Sequence, residues 1–481
     1  MQNNPKWLSK DENGRTKIIE YYLAEELQEL YGNLWCVHGQ FYNHEGFVPD
    51  EKIRSLIHGL IRPYFFGNLA TRTKNVIDAL RDELYTDPPK PDPTKVYFNN
   101  GYFDLKEKTF VEQYNRKEWK FVLHRLKAGY HPEAPGPERF LEYLNDLLYP
   151  EDIPTLQEFM GYCMIPSTAA EKMLFLIGDG GEGKSVLGSV LRCIFGDAMI
   201  SGNLLETFGS GNSHATCSLE NKLLFLDDDI SLQGFRETSV LKTVVTAKQP
   251  ILVNPKNRPQ YEIDVYSRIM AFGNGSPQFL FDRSDGAYRR QLLLETKPKE
   301  DGRLDDPTLP AKLKLERDAI VVWMIEGLKR LAENNWRLTI SDRAKRNLEL
   351  ARKENCNFYL FLEDEDWIVF DPAGEETFSD IYAMYLRWAY ENGFGEIAKR
   401  SVGLELTRLA KKPNGKIKKS NHIKDKLLKK ELRGYYGLRL IRRPYGTNSE
   451  THFSRVEPMC GQIRDIGALR DTKEGLKKPH K

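Results

Sequence analysis

At 481 residues, with 40% hydrophobic and 29% charged residues and a net charge of +2, the chain has the make-up of a multidomain globular protein. That composition excludes a fibrous or a wholly disordered one. No run of about eighteen apolar residues occurs, which excludes a membrane-spanning helix. The six cysteines are scattered and never form CxxC, which argues against a zinc ribbon or disulfide scaffold and for a reducing compartment. With the polar start "MQNNPKWLSKDENG" lacking a signal peptide's apolar stretch, a cytoplasmic location is expected.

In chain order, an N-terminal region (1–90) opens with a polar leader, 1–20, expected to carry little fixed structure. A helix-like "IIEYYLAEELQELY" and a hairpin-like "NLWCVHGQFYNHEGFV" follow. A second region, 91–170, begins with breakers, continues as strand–turn–strand in "VYFNNGYFDL", and then shows helical spacing in "PERFLEYLNDLL" and "IPTLQEFMGYCMI". Residues 171–300 alternate apolar runs ("KMLFLIG", "NKLLFLDDD", "SRIMAFGN", "RQLLLE") with helical or loop segments, the pattern of a mainly parallel α/β sheet. A helical extension spans 301–355 and an α+β module 356–443, and a polar tail, 444–481, is expected to be disordered.

The stretch Gly178-Asp-Gly180-Gly181-Glu-Gly183-Lys184-Ser185 fits GxxxxGK[ST], with a strand before it and a helix after it. Glycines let successive N–H groups face phosphate oxygens, and the helix N-terminus adds its dipole. Lys184 would reach the β- and γ-phosphates of ATP, and the Ser185 hydroxyl would ligate Mg²⁺. An apolar strand then ends in Asp227, Asp228 and Asp229. One such carboxylate would serve Mg²⁺ through water, and another would orient the attacking water. The triplet alone leaves the roles open. Asn274 ends a further strand, on the phosphate side if the sheet is parallel. Arg289 and Arg290 directly precede the last strand, where one of them would act as an arginine finger.

Residues 399–443 carry sixteen Lys/Arg against three Asp/Glu, and Tyr435 and Tyr436 lie near their end. Such a block suits a phosphate backbone. Thr377 or Ser379 would cap a helix through Tyr382, Tyr385 and Trp388, its aromatics reading as core. A basic helix, "HIKDKLLKKELR", and an aromatic strand, "GYYGLRLIRR", follow, a succession that suits a winged helix.

The order P-loop (Walker A), acidic strand end, basic hairpin, strand–Asn and "YRR" resembles the superfamily-three helicases. More closely, it is similar to the phage/plasmid-type primase–helicase family related to the poxvirus primase–helicase. The resemblance extends over about 20–443 and is most specific in 171–296. It implies an AAA+-like parallel-sheet ATPase core, a helical N-terminal collar and a C-terminal winged-helix-like module. It also implies Asp228 and Asp229 as the paired acids, Asp228 serving the metal with Ser185, and Asn274 as a sensor. Lys242, Lys248, Lys256 and Arg258 would grip DNA from a basic hairpin, although Ala247-Lys248-Gln249 stands where the family often has Gly-Gly-Asp. The implied assembly is a homo-hexameric ring with the arginine acting on a neighbouring subunit's ATP.

The expected function is therefore an ATP-dependent DNA helicase acting on single-stranded or forked DNA in replication of a phage, plasmid or other mobile element, in a bacterial host's cytoplasm. It is expected to lack its own primase domain and to work with a separate primase or other replication proteins. The alternative is an ATP-dependent DNA-binding regulator that does not unwind.

Overall fold

The computed structural model describes residues 5–31, 33–113, 119–209, 215–230, 238–256, 259–275, 285–300, 302, 305–354, 356–411, 415–424 and 429–441. The tail 444–481 and Arg258 lie outside the described residues. The protein is mixed α/β and divides into two compact units, Met1–Cys356 and Asn357–Lys481. Among the described residues no helix is long and apolar enough to cross a membrane.

The described part of the polar leader, residues 5–20, is folded, contrary to expectation. Strands β1 (Leu8–Lys10) and β2 (Thr16–Ile18) pair antiparallel, and their turn closes on Asp11 Oδ1, which accepts the N–H groups of Asn13 at 2.9 Å and Arg15 at 2.7 Å. Two large apolar side chains hold this polar hairpin down: Trp7 and Ile18 are buried, with Trp7 edge-on to Tyr64 at 5.3 Å. Helix α1 (Glu20–Tyr31) follows, then the meander β3 (Trp35–Val37), β4 (Gln40–Asn43) and β5 (Gly46–Val48), one strand more than the expected hairpin. Helices α2 (Asp50–Ile61) and α3 (Leu69–Glu83) complete a local core. Ile53, Ile57 and Ile61 of α2 meet Val76, Ile77 and Leu80 of α3 there at helical spacing.

A second meander, β6 (Lys95–Phe98), β7 (Gly101–Asp104) and β8 (Thr109–Glu112), leads to α4 (Glu138–Leu147) and α5 (Ile153–Tyr162). Five strands then form a parallel sheet: β9 (Met173–Ile177), β10 (Met199–Ser201), β11 (Leu224–Asp227), β14 (Arg268–Gly273) and β15 (Gln291–Glu295), in the spatial order β10-β11-β14-β9-β15. The strands read as continuous apolar runs because both faces are covered. Leu174, Leu176, Met270, Phe272, Leu292 and Leu294 enter one core with α4, α5 and α6 (Lys184–Phe195). The alternating Met173, Phe175, Ile269, Ala271 and Leu293 enter the other, with α7 (Leu204–Phe208) and α8 (Ser239–Val245). A two-stranded antiparallel hairpin, β12 (Ile251–Val253) and β13 (Tyr261–Ile263), docks Val253 and Ile263 into the second core. The short helix α9 (Asp285–Tyr288) precedes β15.

Beyond the sheet run α10 (Leu309–Leu315), α11 (Arg317–Glu333) and α12 (Asp342–Glu354). Helices α5 and α11 meet backbone to backbone through two glycines. A Cβ on Gly161 would lie 2.4 Å from the Met324 carbonyl oxygen, and one on Gly327 would lie 2.5 Å from that of Gln157. The buried Glu158 beside them accepts from Arg330 Nε at 2.5 Å and from Thr339 N and Oγ1 at 2.6 and 2.8 Å, fixing the register of the crossing.

The second unit runs α13 (Phe358–Glu363), β16 (Ile368–Thr377), α14 (Phe378–Glu391), α15 (Lys399–Ala410), β17 (Lys418–Lys424) and β18 (Glu431–Leu440). Its antiparallel sheet has the order β16-β18-β17. Thr377 is the cap of α14, its hydroxyl accepting the Asp380 N–H at 3.1 Å. Tyr385 and Trp388 are buried among Phe358 and Phe361, so the aromatic stripe is core. Among the described residues of 422–433 the expected basic helix is not found. His422–Lys424 belong to β17, Glu431–Arg433 belong to β18, and 425–428 lie outside the described residues. Ile423 pairs across the ladder with Leu432, so cross-strand burial overrides a helical spacing of apolar residues.

Candidate functional site

Strand β9 runs into the glycine-rich turn and α6 leaves it, beginning at Lys184. Gly180, Gly181 and Gly183 have φ of +110°, +81° and +110°, values a side chain would strain, and they fold the turn around the start of the helix. Tyr143 of α4 supports the turn from outside, its hydroxyl donating to the Gly183 carbonyl at 2.9 Å. Inside, Lys184 is 9% exposed, and its Nζ donates to Glu182 Oε2 at 2.8 Å. Glu182 Oε1 accepts the Gly180 N–H at 2.6 Å. Burial pushes the Glu182 carboxyl up, but hydrogen bonds from Lys184 and from the Glu182 and Gly180 N–H groups outweigh it and hold the group below the usual range.

A cavity of about 420 Å³ opens above this turn. Gly180, Gly181, Glu182, Gly183, Lys184 and Ser185 line it with Asp228 and Asn274, and Tyr143, Val186, Asp305, Asp306 and Leu309 complete the lining. Asn274 reaches it because β14 lies between β9 and β11 and ends on the same side. Gly178 sits one step lower, where a Cβ would lie 1.9 Å from Thr296 Oγ1. It lines a neighbouring cavity of about 250 Å³ with Asp179 and Asn274.

The acid triplet is divided by the strand's pleat. Asp227 is buried and turned to α7, its Oδ2 accepting the Leu204 N–H at 2.6 Å and its Oδ1 the Asp229 N–H at 3.2 Å. Burial pushes this carboxyl up, the two N–H groups pull against that, and the charges of Asp228 and Asp229 add to the rise. Asp228 is exposed and faces the cavity, whereas Asp229 is exposed beside it and does not line it.

The remaining predicted residues lie elsewhere. Arg289 and Arg290 stand before β15, at the opposite end of the sheet from the cavity, with the five-residue strand between, a span of roughly 16 Å. Arg289 is exposed; Arg290 is half-buried, with Nη1 donating to the Gly286 carbonyl. Lys242 is half-buried on α8, and Lys248 is exposed and pairs with Glu171 at 3.3 Å. Lys256 is exposed in the segment joining β12 to β13, and Arg258 lies outside the described residues. None of the three described lysines lines the cavity.

Glu182 and Tyr143 are the residues that sequence reasoning missed. An acid set between two glycines of the turn was the available signal for Glu182. Tyr143 carries none, because its contact with Gly183 spans 40 residues of chain.

A protein-family model described as a family of unknown function (DUF5906) matches residues 176–290, from the end of β9 to Arg290. Among solved structures, the A form apo structure of the NrS-1 C terminal region is 14% identical, with 68% of this chain and 74% of that chain covered and a TM-score of 0.43. An apo structure of the same region (its residues 305–718) gives 14% identity, 69% and 75% coverage and a TM-score of 0.43.

Proposed function

We propose that the protein is a Mg²⁺-dependent ATPase with a P-loop, AAA+-like core, and that hydrolysis drives it along DNA as a helicase of the superfamily-three type in replication of a mobile element. The observation that carries this reading is the convergence of the glycine turn, Lys184, Ser185, Asp228 and Asn274 on one cavity at the carboxyl ends of adjacent parallel strands.

The residues fit a magnesium nucleotide. The positive-φ glycines shape the turn so that its N–H groups can face oxygen atoms, the Gly180 N–H already bonding a Glu182 carboxylate oxygen; the twelve-residue α6 adds its N-terminal dipole, and Ser185 and Asp228 are hard oxygen donors suited to Mg²⁺. Bound there, the metal would neutralise charge on the β- and γ-phosphates. Lys184 binds the same oxygens. Asp228 would hold the metal's water, and Asn274 would orient the attacking water or the γ-phosphate by hydrogen bonding.

Because Arg289 and Arg290 lie far from their own cavity, an arginine contribution comes from a neighbouring copy, which calls for a closed ring with head-to-tail interfaces. Arg289, the exposed one of the pair, suits that role. The second unit's order of helix, strand, two helices and two strands supports the winged-helix reading, with DNA as its partner.

The test is ATP hydrolysis by the full chain with and without single-stranded DNA, for wild type, Lys184→Ala and the double variant Arg289→Ala/Arg290→Ala. Stimulation by DNA, loss in each variant, and recovery on mixing the two variants are expected. Hydrolysis that ignores DNA, with no recovery on mixing, overturns the motor and favours a DNA-bound regulator.

A further inference from the structure

We propose that Glu182 sets the affinity of this cradle for nucleotides, because its buried carboxylate holds Lys184 in an ion pair that the phosphates must share or displace. The inference rests on the nucleotide-binding reading of the site and adds the residue that limits it.

Glu182 is 2% exposed, and its two oxygens engage two of the groups that an anion in the cradle would want, the Gly180 N–H at 2.6 Å and Lys184 Nζ at 2.8 Å. Both Glu182 and Lys184 line the cavity. The other acids around it are otherwise engaged. Asp305 pairs with Lys299 at 2.8 Å, Asp306 pairs with Lys312 at 2.7 Å, and Asp228 faces the position given above to the metal's water. Lys184 is the one cation in the described lining, and Glu182 cancels its charge.

Two outcomes are open to the pair when phosphate arrives, and both weaken binding. An ammonium has three donors, so Lys184 can keep Glu182 while it takes a phosphate oxygen. The carboxylate then stays within a few ångströms of the phosphate charges, in a pocket poorly screened by water. Alternatively Lys184 turns away, and a carboxylate with 2% exposure is left without its cation. The ion pair also pre-positions Lys184, a benefit on the scale of a single hydrogen bond and smaller than repulsion between neighbouring full charges. Removing the charge while keeping an acceptor for the Gly180 N–H therefore tightens binding, in proportion to the ligand's own charge.

The experiment is calorimetric titration of the full chain with ATP, ADP and adenosine, for wild type, Glu182→Gln, Glu182→Ala, Lys184→Ala and Glu182→Gln/Lys184→Ala. Glu182→Gln is expected to bind ATP at least tenfold tighter, ADP tighter by a smaller factor, and adenosine equally. Glu182→Ala, which also removes the acceptor, is expected to keep that order, and, because the carboxylate repels the phosphates with or without the lysine, a gain is expected to remain in the Lys184→Ala background. Unchanged or weaker ATP binding by Glu182→Gln, or an equal gain for adenosine, overturns the proposal while a deficit in Lys184→Ala leaves the cradle reading standing. If wild type and Lys184→Ala bind ATP alike, the cradle reading fails and the proposal fails with it.

Discussion

Replacing Asp227 and Asp228 separately by alanine should divide stability from chemistry. Asp227 is 4% exposed, and its carboxylate takes the Leu204 N–H at 2.6 Å and the Asp229 N–H at 3.2 Å. Truncation strands the Leu204 N–H at the start of α7. A hydrogen bond to a charged acceptor contributes about 1.5–3 kcal/mol, and the longer one less, so the gross loss is about 3 kcal/mol. Relief from burying a charge returns part of it, as the raised pKa indicates, leaving a net cost of roughly 2 kcal/mol. Against a typical stability of about 5–15 kcal/mol, that is a visible drop in the urea midpoint. Asp228 is exposed, and its side chain makes no hydrogen bond among the described residues, so Asp228→Ala should stay within about 0.5 kcal/mol of wild type. Its hydrolysis, measured with saturating Mg²⁺ and ATP, should fall by about 10²-fold or more. Equal destabilisation by the two variants would refute the sorting. So would an Asp227→Ala protein with a wild-type midpoint and no activity.

Gly161→Ala and Gly327→Ala each drive a Cβ into a facing backbone, at 2.4 and 2.5 Å, and should cost about 1–3 kcal/mol, read as a lowered urea midpoint; a neutral result for both would mean that α5 and α11 separate at little cost. Burial pushes the Asp152 carboxyl up, with the Ser341 hydrogen bond only partly opposing it. A folded pKa raised above the ordinary 3.8 means that the protonated form favours folding below 3.8 and that this contribution is lost as pH rises through the folded value. Asp152→Asn should therefore raise the melting temperature at pH 7, with the gain shrinking as pH falls toward 4; a lower melting temperature at pH 7 counts against that cause. In the second unit Lys418, Lys419 and Lys424 are exposed on β17, and their joint replacement by alanine should lower the salt slope of single-stranded DNA binding by about two. An unchanged slope, with loss instead in Arg400→Ala on α15, would move the contact to the helix.

The most legible parts were those whose cause is local. A buried strand in a sheet covered on both faces reads as an unbroken apolar run, so β9, β11, β14 and β15 were visible, whereas the three-residue β10 left too little pattern to find. The same locality exposed the turn at 178–185, because its glycines, lysine and serine all fall within one short stretch of backbone. The leader and the segment 422–433 were misread for the opposite reason. Trp7 packs on Tyr64, far along the chain, and Ile423 is set beside Leu432 by the pairing of two strands; neither contact shows in the spacing of the segment itself.

By itself, then, the sequence determined an apolar-strand α/β core, a glycine turn carrying Lys184 and Ser185, an acid triplet, a strand-ending asparagine and a basic C-terminal block. Only the tertiary structure decided the order β10-β11-β14-β9-β15, which brings Asn274 and Asp228 to the turn. It also turned Asp227 to α7, set Arg289 and Arg290 at the far end of the sheet, and buried Glu182 against Lys184. Periodicity and turn chemistry act over a few residues and are written in local order, while pairing, pleat and burial depend on which distant segment arrives alongside.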